Sequence, residues 1–164
     1  MHIRAATDAD RQVMLAIING AAMRYQGVIP ADRWHEPYMS AAELDREISD
    51  GVVFSVAEDD GVVTGVMGIQ DRGEVALVRH AYVAPGRQRT GVGTALLRHL
   101  ETIVDRPVLI GTWADASWAI DFYQRNGFTL LDTGETRQML RRYWSIPERQ
   151  IETSVVLRKD SSRR

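Results

Sequence analysis

The sequence predicts a mixed α/β domain in which helices cover a central, mostly antiparallel sheet. Two segments with helical spacing come first, three strand-like runs joined by tight turns follow, and helices and strands then alternate. With 164 residues, of which 45% are hydrophobic and 26% charged, the chain has the length and composition of one soluble domain. We expect that domain to span residues 1–158, followed by a disordered basic tail over residues 159–164.

The N-terminal part is predicted to contain one strand and two helices. Residues 2–6 are strand-like, and apolar residues at helical spacing predict a helix over residues 8–24. Ser40 and Glu43 have the spacing of a capping box, which predicts a second helix ending near Ser49. The segment between these helices is irregular and rich in aromatic residues.

Three strands are predicted in the middle of the chain, over residues 52–58, 62–70 and 74–83. The turns between them read Asp-Asp-Gly at residues 59–61 and Asp-Arg-Gly at residues 71–73. Such turns are typical of hairpins, so we expect an antiparallel meander.

Residues 78–100 are the segment around which the rest of the chain is organised. A strand leads to Pro85 and Gly86, then to a basic loop, then to an amphipathic helix. Gly91 and Gly93 allow the backbone to approach a ligand closely, and the first N–H groups of the helix have no partner within it. A phosphate or pyrophosphate suits this arrangement.

The remainder alternates between strands and helices. Residues 108–112 are predicted to form a buried strand, parallel to residues 74–83 through a right-handed crossover. The later elements are a helix over 116–125, a strand over 128–132, a short helical or irregular excursion over 136–143, and a strand over 150–157.

Two common phosphate loops are excluded. Gly86 and Gly91 have the spacing of a Walker loop, but Val92 and Gly93 stand where it requires Lys and Ser or Thr. A dinucleotide-binding fingerprint requires Gly or Ala where Leu96 stands.

The remaining pattern, Gln-Arg-Thr-Gly-Val-Gly over residues 88–93, resembles the acyl-CoA pyrophosphate loop of the GNAT superfamily of N-acetyltransferases. Residues 119–128 read Ala-Ile-Asp-Phe-Tyr-Gln-Arg-Asn-Gly-Phe and resemble the second signature of that family, Ala-x-x-Phe-Tyr-x-x-x-Gly-Phe. The resemblance implies a GNAT-like sheet splayed between its fourth and fifth strands, and acetyl-CoA as the acyl donor. The N-terminal part is also similar to phosphinothricin-type acetyltransferases, and the aromatic C-terminal part to bacterial members of undefined substrate.

The same resemblance implies the donor contacts. Main-chain groups of Ala81, Tyr82 and Val83 would hold the pantetheine arm. The residues implied at the pyrophosphate are Gln88, Arg89, Thr90, Gly91, Val92, Gly93 and Thr94. Ala116 is a departure, because the family often has Asn there as a further donor contact; Asp115 or Ser117 could replace it.

Tyr123 and His80 are the implied catalytic residues. The resemblance makes Tyr123 the general acid on the CoA thiolate, and a phenol with a pKa of about 10 is protonated at neutral pH. His80 is the first candidate for general base, since it shares a strand face with Tyr82 and has a suitable intrinsic pKa. A structural, hydrogen-bonded histidine is the alternative. Tyr82 and Glu74 are the other candidates for the base on or near this strand, Glu74 at its wrong end, and Glu36 is a weaker candidate from the N-terminal loop.

The implied acceptor pocket comes from the irregular N-terminal loop. Its candidate contacts are Tyr25, Trp34, Glu36 and Tyr38. Aromatic walls with a carboxylate suit a small amine or the apolar side chain of an amino acid. Residues 143–150 would cover the pocket from the other side, and the alternative is a hydrophobic cluster that anchors the loop.

The predicted function is therefore acetyl transfer from acetyl-CoA to the primary amine of a small molecule or amino acid, by direct attack. The alternatives are an acyl-CoA-binding sensor without turnover and a protein N-terminal or lysine acetyltransferase. A net charge of −2 gives no indication of nucleic acid or membrane as partner. The sequence has no cysteine and no N-terminal apolar run, so we expect a cytoplasmic protein. Its histidines lack metal-ligand spacing, so we expect no metal site. We expect a monomer or a homodimer.

Overall fold

The computed structural model describes residues 1–161 and confirms the predicted fold class. The strands are β1 (His2–Ala5), β2 (Val52–Asp59), β3 (Val62–Asp71), β4 (Ala76–Val83), β5 (Val108–Trp113), β6 (Thr129–Leu130) and β7 (Ser154–Lys159). The α-helices are α1 (Arg11–Ala22), α2 (Ala41–Ser49), α3 (Val92–Ile103), α4 (Ser117–Arg125), α5 (Thr133–Tyr143) and α6 (Glu148–Glu152). The strands form one seven-stranded sheet in the order β1-β2-β3-β4-β5-β7-β6.

The sheet is antiparallel except where β4 meets β5. These two strands pair over three residue pairs only, from Ala76 with Val108 to Val78 with Ile110. Beyond them the strands are not paired, so the predicted splay between the fourth and fifth strands is confirmed.

A β-bulge in β4 accompanies this divergence. Val66 of β3 lies opposite Tyr82, but Gly68 lies opposite Arg79, so one residue of β3 faces two of β4. His80, inside the bulge, has a φ of 55°, a left-handed conformation that is uncommon for a residue with a side chain. A bulge bends its strand and increases the local twist, which turns the end of β4 away from β5.

Helices cover both faces of the sheet. Val78 belongs to a buried cluster with α3 and α4, in which Leu96 is fully buried. Leu77, its neighbour on the other face, belongs to a cluster with α5 and α6. A further cluster packs α1 and α2 against β2 and β3, with Ile18 at its centre. The site described below therefore lies on a scaffold with a continuous core on both sides.

A side-chain hydrogen bond explains where α2 begins. The Ser40 hydroxyl accepts from the backbone N–H of Glu43 at 3.1 Å, as the capping box predicts. The helix predicted over residues 8–24 is divided into the short 3-10 helix Asp8–Asp10, α1, and a second 3-10 helix, Met23–Tyr25.

The C-terminal part differs most from the prediction. β6 is only two residues long, because Asp132 caps α5 by accepting from the N–H of Glu135 at 2.8 Å. The predicted strand over 150–157 is instead α6 followed by β7, and Ile151 is buried on the helix.

The predicted disordered tail begins inside an observed strand. Lys159, its first residue, ends β7 and pairs with Val108 of β5. Residues 162–164 of that tail lie outside the described residues. Within residues 1–161, no helix has the length and apolarity needed to cross a membrane.

Candidate active site

A cavity of about 180 Å³ lies where β4 and β5 diverge. Both strands, the end of the first helical segment and the C-terminal segment contribute to its wall. The lining residues are 78–82 of β4, 110–113 of β5, Tyr25, Tyr38, Tyr123, Leu140, Trp144, Ile146, Gln150 and Ser154. Its wall therefore combines residues that are distant in sequence.

The loop before α3 presents backbone donors to solvent. Gly91 adopts a φ of 86° and is the N-cap of α3, and residues 85–91 are all exposed. The first backbone bond of the helix runs from the N–H of Ala95 to the carbonyl of Gly91, at 3.0 Å. The N–H groups of Val92, Gly93 and Thr94 precede that bond and are available to an anion at the positive end of the helix.

The loop has its own internal bracing. The Gln88 side chain accepts from the N–H of Gly86 at 3.1 Å and donates to the carbonyl of Val83 at 3.2 Å. The Thr90 hydroxyl donates to the carbonyl of Arg87. Both side chains therefore hold the shape of the loop, and its backbone remains open to a ligand.

The two sequence motifs touch each other. A Cβ on Gly93 would lie 3.2 Å from Cζ of Phe122 in α4 and 3.7 Å from Cγ2 of Val83. The contact with Phe122 would be tighter than ordinary van der Waals distance, so Gly93 permits the close approach of α3 to α4. The neighbouring Tyr123 is thereby fixed relative to the loop.

Tyr123 is 7% exposed and lines the cavity. Its ring packs edge-on against Phe122 and Phe128, with centroids 5.1 and 5.8 Å away. Burial raises the pKa of Tyr123 above its ordinary value, and the nearby Tyr25 raises it further. The hydroxyl therefore stays protonated at neutral pH and can donate a proton or a hydrogen bond.

Comparison with known proteins assigns the chain to a family. Residues 50–130 match the model of the acetyltransferase (GNAT) domain, a stretch that contains both motifs. The chain belongs to the GNAT superfamily. No curated protein matches its sequence.

Solved structures share the GNAT fold along nearly the whole chain. A GNAT-family acetyltransferase from Staphylococcus aureus is 13% identical, with a TM-score of 0.73, and the match covers 98% of this chain and 99% of that one. PaiA N-acetyltransferase from Thermoplasma acidophilum, solved with coenzyme A, is 18% identical, with a TM-score of 0.73 and coverage of 97% and 98%. Ribosomal-protein-alanine N-acetyltransferase from Brucella melitensis is 22% identical, with a TM-score of 0.67 and coverage of 98% and 99%. At these identities the likeness establishes the fold.

Arg79 and His80, two consecutive residues at the bulge of β4, both lie close to Glu47 of α2. Nη2 of Arg79 lies 3.1 Å from Oε1 of Glu47, and Nε2 of His80 lies 3.3 Å from the same oxygen. The His80 contact has an ion-pair distance but lacks hydrogen-bond geometry, so Nε2 has no hydrogen-bond partner among the described residues.

Glu47 was not predicted as a site residue from the sequence. Burial acts to raise the pKa of Glu47, but the adjacent His80 and Arg79 outweigh it, and the net shift is downward. Glu47 is thus an anion beside His80 at neutral pH. No local pattern marks it, because an acidic residue on α2 has the same appearance as any surface helix residue.

Three more tyrosines surround the cavity. The ring of Tyr82 meets those of Tyr25 and Tyr38 edge-on, with centroid distances of 6.4 and 6.2 Å. Burial is the main cause that raises the pKa of each of these phenols. Together with Tyr123 they form a neutral aromatic wall.

Two residues expected in the acceptor pocket lie elsewhere. The Trp34 ring stacks on Tyr38 at 5.9 Å, and its indole N–H donates to Oε1 of Glu36 at 3.2 Å. Neither Trp34 nor Glu36 lines the cavity, and Glu36 is exposed. Tyr25 and Tyr38 from the same segment do line it, so the loop contributes rings to the wall and no carboxylate.

The C-terminal segment closes the other side, as expected of residues 143–150. Trp144 packs against Gly111 of β5, where a Cβ would lie 3.2 Å from its ring. Gln150 of the same segment also lines the cavity, as does Ser154, which was not predicted from the sequence. Within residues 1–161, no group of three or more His, Asp or Glu side chains could hold a metal ion.

Proposed function

We propose that this GNAT protein transfers an acetyl group from acetyl-CoA to the primary amine of a small molecule. The observation that carries the proposal is that the loop before α3 lies against the helix that carries Tyr123. Gly93 at the start of α3 packs close to Phe122 of α4, and the neighbouring Tyr123 lines the cavity where β4 and β5 diverge.

The residues present fit the donor. The free N–H groups of Val92, Gly93 and Thr94 suit a pyrophosphate. Beyond Val78, β4 has no partner on the side of β5, so backbone groups near Ala81 and Val83 can bond an extended pantetheine arm. The Thermoplasma neighbour, solved with coenzyme A, supports the same donor.

One donor contact common in the family has no equivalent side chain. Ala116 is fully buried at the start of α4 and carries no polar group. Asp115 and Ser117 flank it and are exposed. We assign the pantetheine contact to the backbone of β4.

The proposed reaction is a direct displacement. The amine nitrogen forms a bond to the thioester carbon, the bond from carbon to sulfur breaks, and the thiolate takes a proton from Tyr123. The amine gives up its proton to His80, directly or through water. The anionic Glu47 beside His80 favours the protonated imidazole that results.

Thiol release from acetyl-CoA across a panel of amines and amino acids tests the function. Tyr123→Phe should lower kcat by about 10²- to 10⁴-fold, the usual contribution of general acid catalysis. Tyr143→Phe is the matched control, because that hydroxyl donates to Glu74 at 2.7 Å and the residue does not line the cavity. An unchanged kcat for Tyr123→Phe under chemistry-limited conditions would contradict the general-acid role.

The base is tested separately through the pH dependence of kcat/KM. His80→Ala should remove the acidic limb of the profile. Glu47→Gln should lower kcat/KM, since it removes the negative charge that stabilises the imidazolium formed when His80 takes the proton. Profiles that coincide with wild type would leave His80 as a structural residue.

The rival functions differ in observable ways. A sensor without turnover binds CoA but releases no thiol with any amine. A protein acceptor requires a long open groove, whereas Trp144, Ile146 and Gln150 line the far side of this cavity. Its volume of about 180 Å³ favours a small acceptor.

A further inference from the structure

The wall of the cavity is dominated by aromatic rings. Six aromatic residues line it, in addition to His80: Tyr25, Tyr38, Tyr82, Trp113, Tyr123 and Trp144. Such rings pack against apolar bodies and attract an ammonium group through their faces.

The same wall is almost without charge. Among the described residues that line it there is no Asp or Glu, and its one arginine is Arg79. The Arg79 guanidinium is already engaged, at 3.1 Å from Oε1 of Gln70 and 3.1 Å from Oε1 of Glu47. A carboxylate brought into the cavity would therefore lose water without gaining a cation, which is costly.

Guanidinium groups do occur near the C-terminal segment, and they also have partners. Nη2 of Arg33 donates to Oε1 of Gln150 at 3.3 Å. Arg149 lies 3.6 Å from Asp32. These two contacts join the N-terminal loop to α6, and neither arginine lines the cavity.

We propose that the acceptor is a small primary monoamine with an aromatic or apolar body and no carboxylate. This inference rests on the proposed function and narrows its substrate class. The apolar body lies among the tyrosines, and the amine points toward the thioester. Amino acids are rejected because their carboxylate has no partner in the wall.

Matched pairs of acceptors test the inference with the unmodified protein. Phenethylamine and phenylalanine differ only in the carboxylate, as do tyramine and tyrosine. Thiol release should give a kcat/KM at least about 100-fold higher for each amine, because an unpaired buried carboxylate costs several kcal/mol. Equal or better use of the amino acids would overturn the inference and leave acetyl transfer standing. No thiol release with any member of either class would overturn both.

A gain of function provides a second test. Gln150→Arg places a cation in the wall, and it should reduce the preference for amine over amino acid by about tenfold. Gln150→Leu has the same position and no charge, and it should leave that preference in place. Equal preference in the two variants would contradict the carboxylate argument.

The aromatic part is tested at Tyr38. Tyr38→Leu removes the ring and should raise KM for phenethylamine by about tenfold, and Tyr38→Phe, which keeps the ring, should lose less. Calorimetric binding of CoA confirms that both variants are folded. Equal losses in the two variants would show that the ring does not bind the acceptor.

Discussion

The bulge in β4 depends on a glycine in the neighbouring strand. A Cβ on Gly68 would lie 2.7 Å from Cγ1 of Val52 and 3.0 Å from Cε1 of Phe54. It would also lie 3.0 Å from the carbonyl oxygen of Arg79, a backbone atom that cannot rotate away. Phe54 in turn stacks on His80, with ring centroids 6.2 Å apart. Gly68→Ala therefore strains the core and displaces the residue proposed as general base.

The expected effect on stability is large for a single methyl group. Overpacking of a well-packed core costs about 1–3 kcal/mol, and the backbone contact places Gly68→Ala near the upper end. For a chain of this size, that corresponds to a fall in Tm of about 5–10 °C. kcat/KM should fall at least about tenfold at a temperature where the variant is folded, because small displacements of catalytic groups are costly.

Thermal unfolding followed by circular dichroism, together with thiol release, measures both effects. Gly134→Ala is the matched control. Gly134 is exposed in α5, and the nearest atom to its added Cβ is Oδ1 of Asp132 at 3.5 Å. That variant should be unchanged or more stable by up to about 1 kcal/mol, because alanine favours helix. If Gly68→Ala unfolds at the wild-type temperature with full activity, the role given to the bulge is wrong.

Two further predictions concern stability and the donor. Asp10 accepts two hydrogen bonds from Arg4, at 2.7 and 3.0 Å, and one from the N–H of Thr7 at 2.7 Å, and these hold the pKa of its carboxyl well below the usual range. The stabilising contribution of Asp10 is therefore complete above about pH 4 and is lost as the pH falls further. Asp10→Asn should lower the free energy of unfolding, measured in urea at pH 7, by about 2–3 kcal/mol. The difference between the variant and wild type should shrink in acid. A difference that grew as the pH fell would refute this. Gly93→Ala should raise KM for acetyl-CoA about tenfold, because the added Cβ would lie 3.2 Å from Phe122 and would move the start of α3. An unchanged KM for acetyl-CoA would count against the loop as the pyrophosphate site.

The shape of the loop before α3 was predictable because its signals are local. The loop and the first turn of α3 occupy consecutive residues, and their backbone geometry follows from the glycine spacing. Gly91 takes the left-handed conformation that its position requires. The antiparallel meander and the parallel pairing of β5 with β4 likewise followed from turn residues and crossover rules.

The acceptor side was less predictable because its residues meet only in the folded chain. Glu47 lies beside His80 at a bulge in β4, a strand without glycine, and the left-handed residue there is the histidine itself. Trp34 and Glu36 had the right chemistry, but they bond each other at the surface. The segment over residues 150–157 reads as a strand from its apolar residues, yet its first turn closes as α6.

The residues that line the cavity come from the matched range 50–130 and from the segments on either side of it. Residues 78–82, residues 110–113 and Tyr123 lie inside the family match over residues 50–130. Those outside the match are Tyr25, Tyr38, Leu140, Trp144, Ile146, Gln150 and Ser154. Substitutions at these flanking positions can change the acceptor without touching the loop that would hold CoA. Related chains with the same central domain can thus diverge in substrate while they keep one donor, and engineering of this protein would begin at its two flanks.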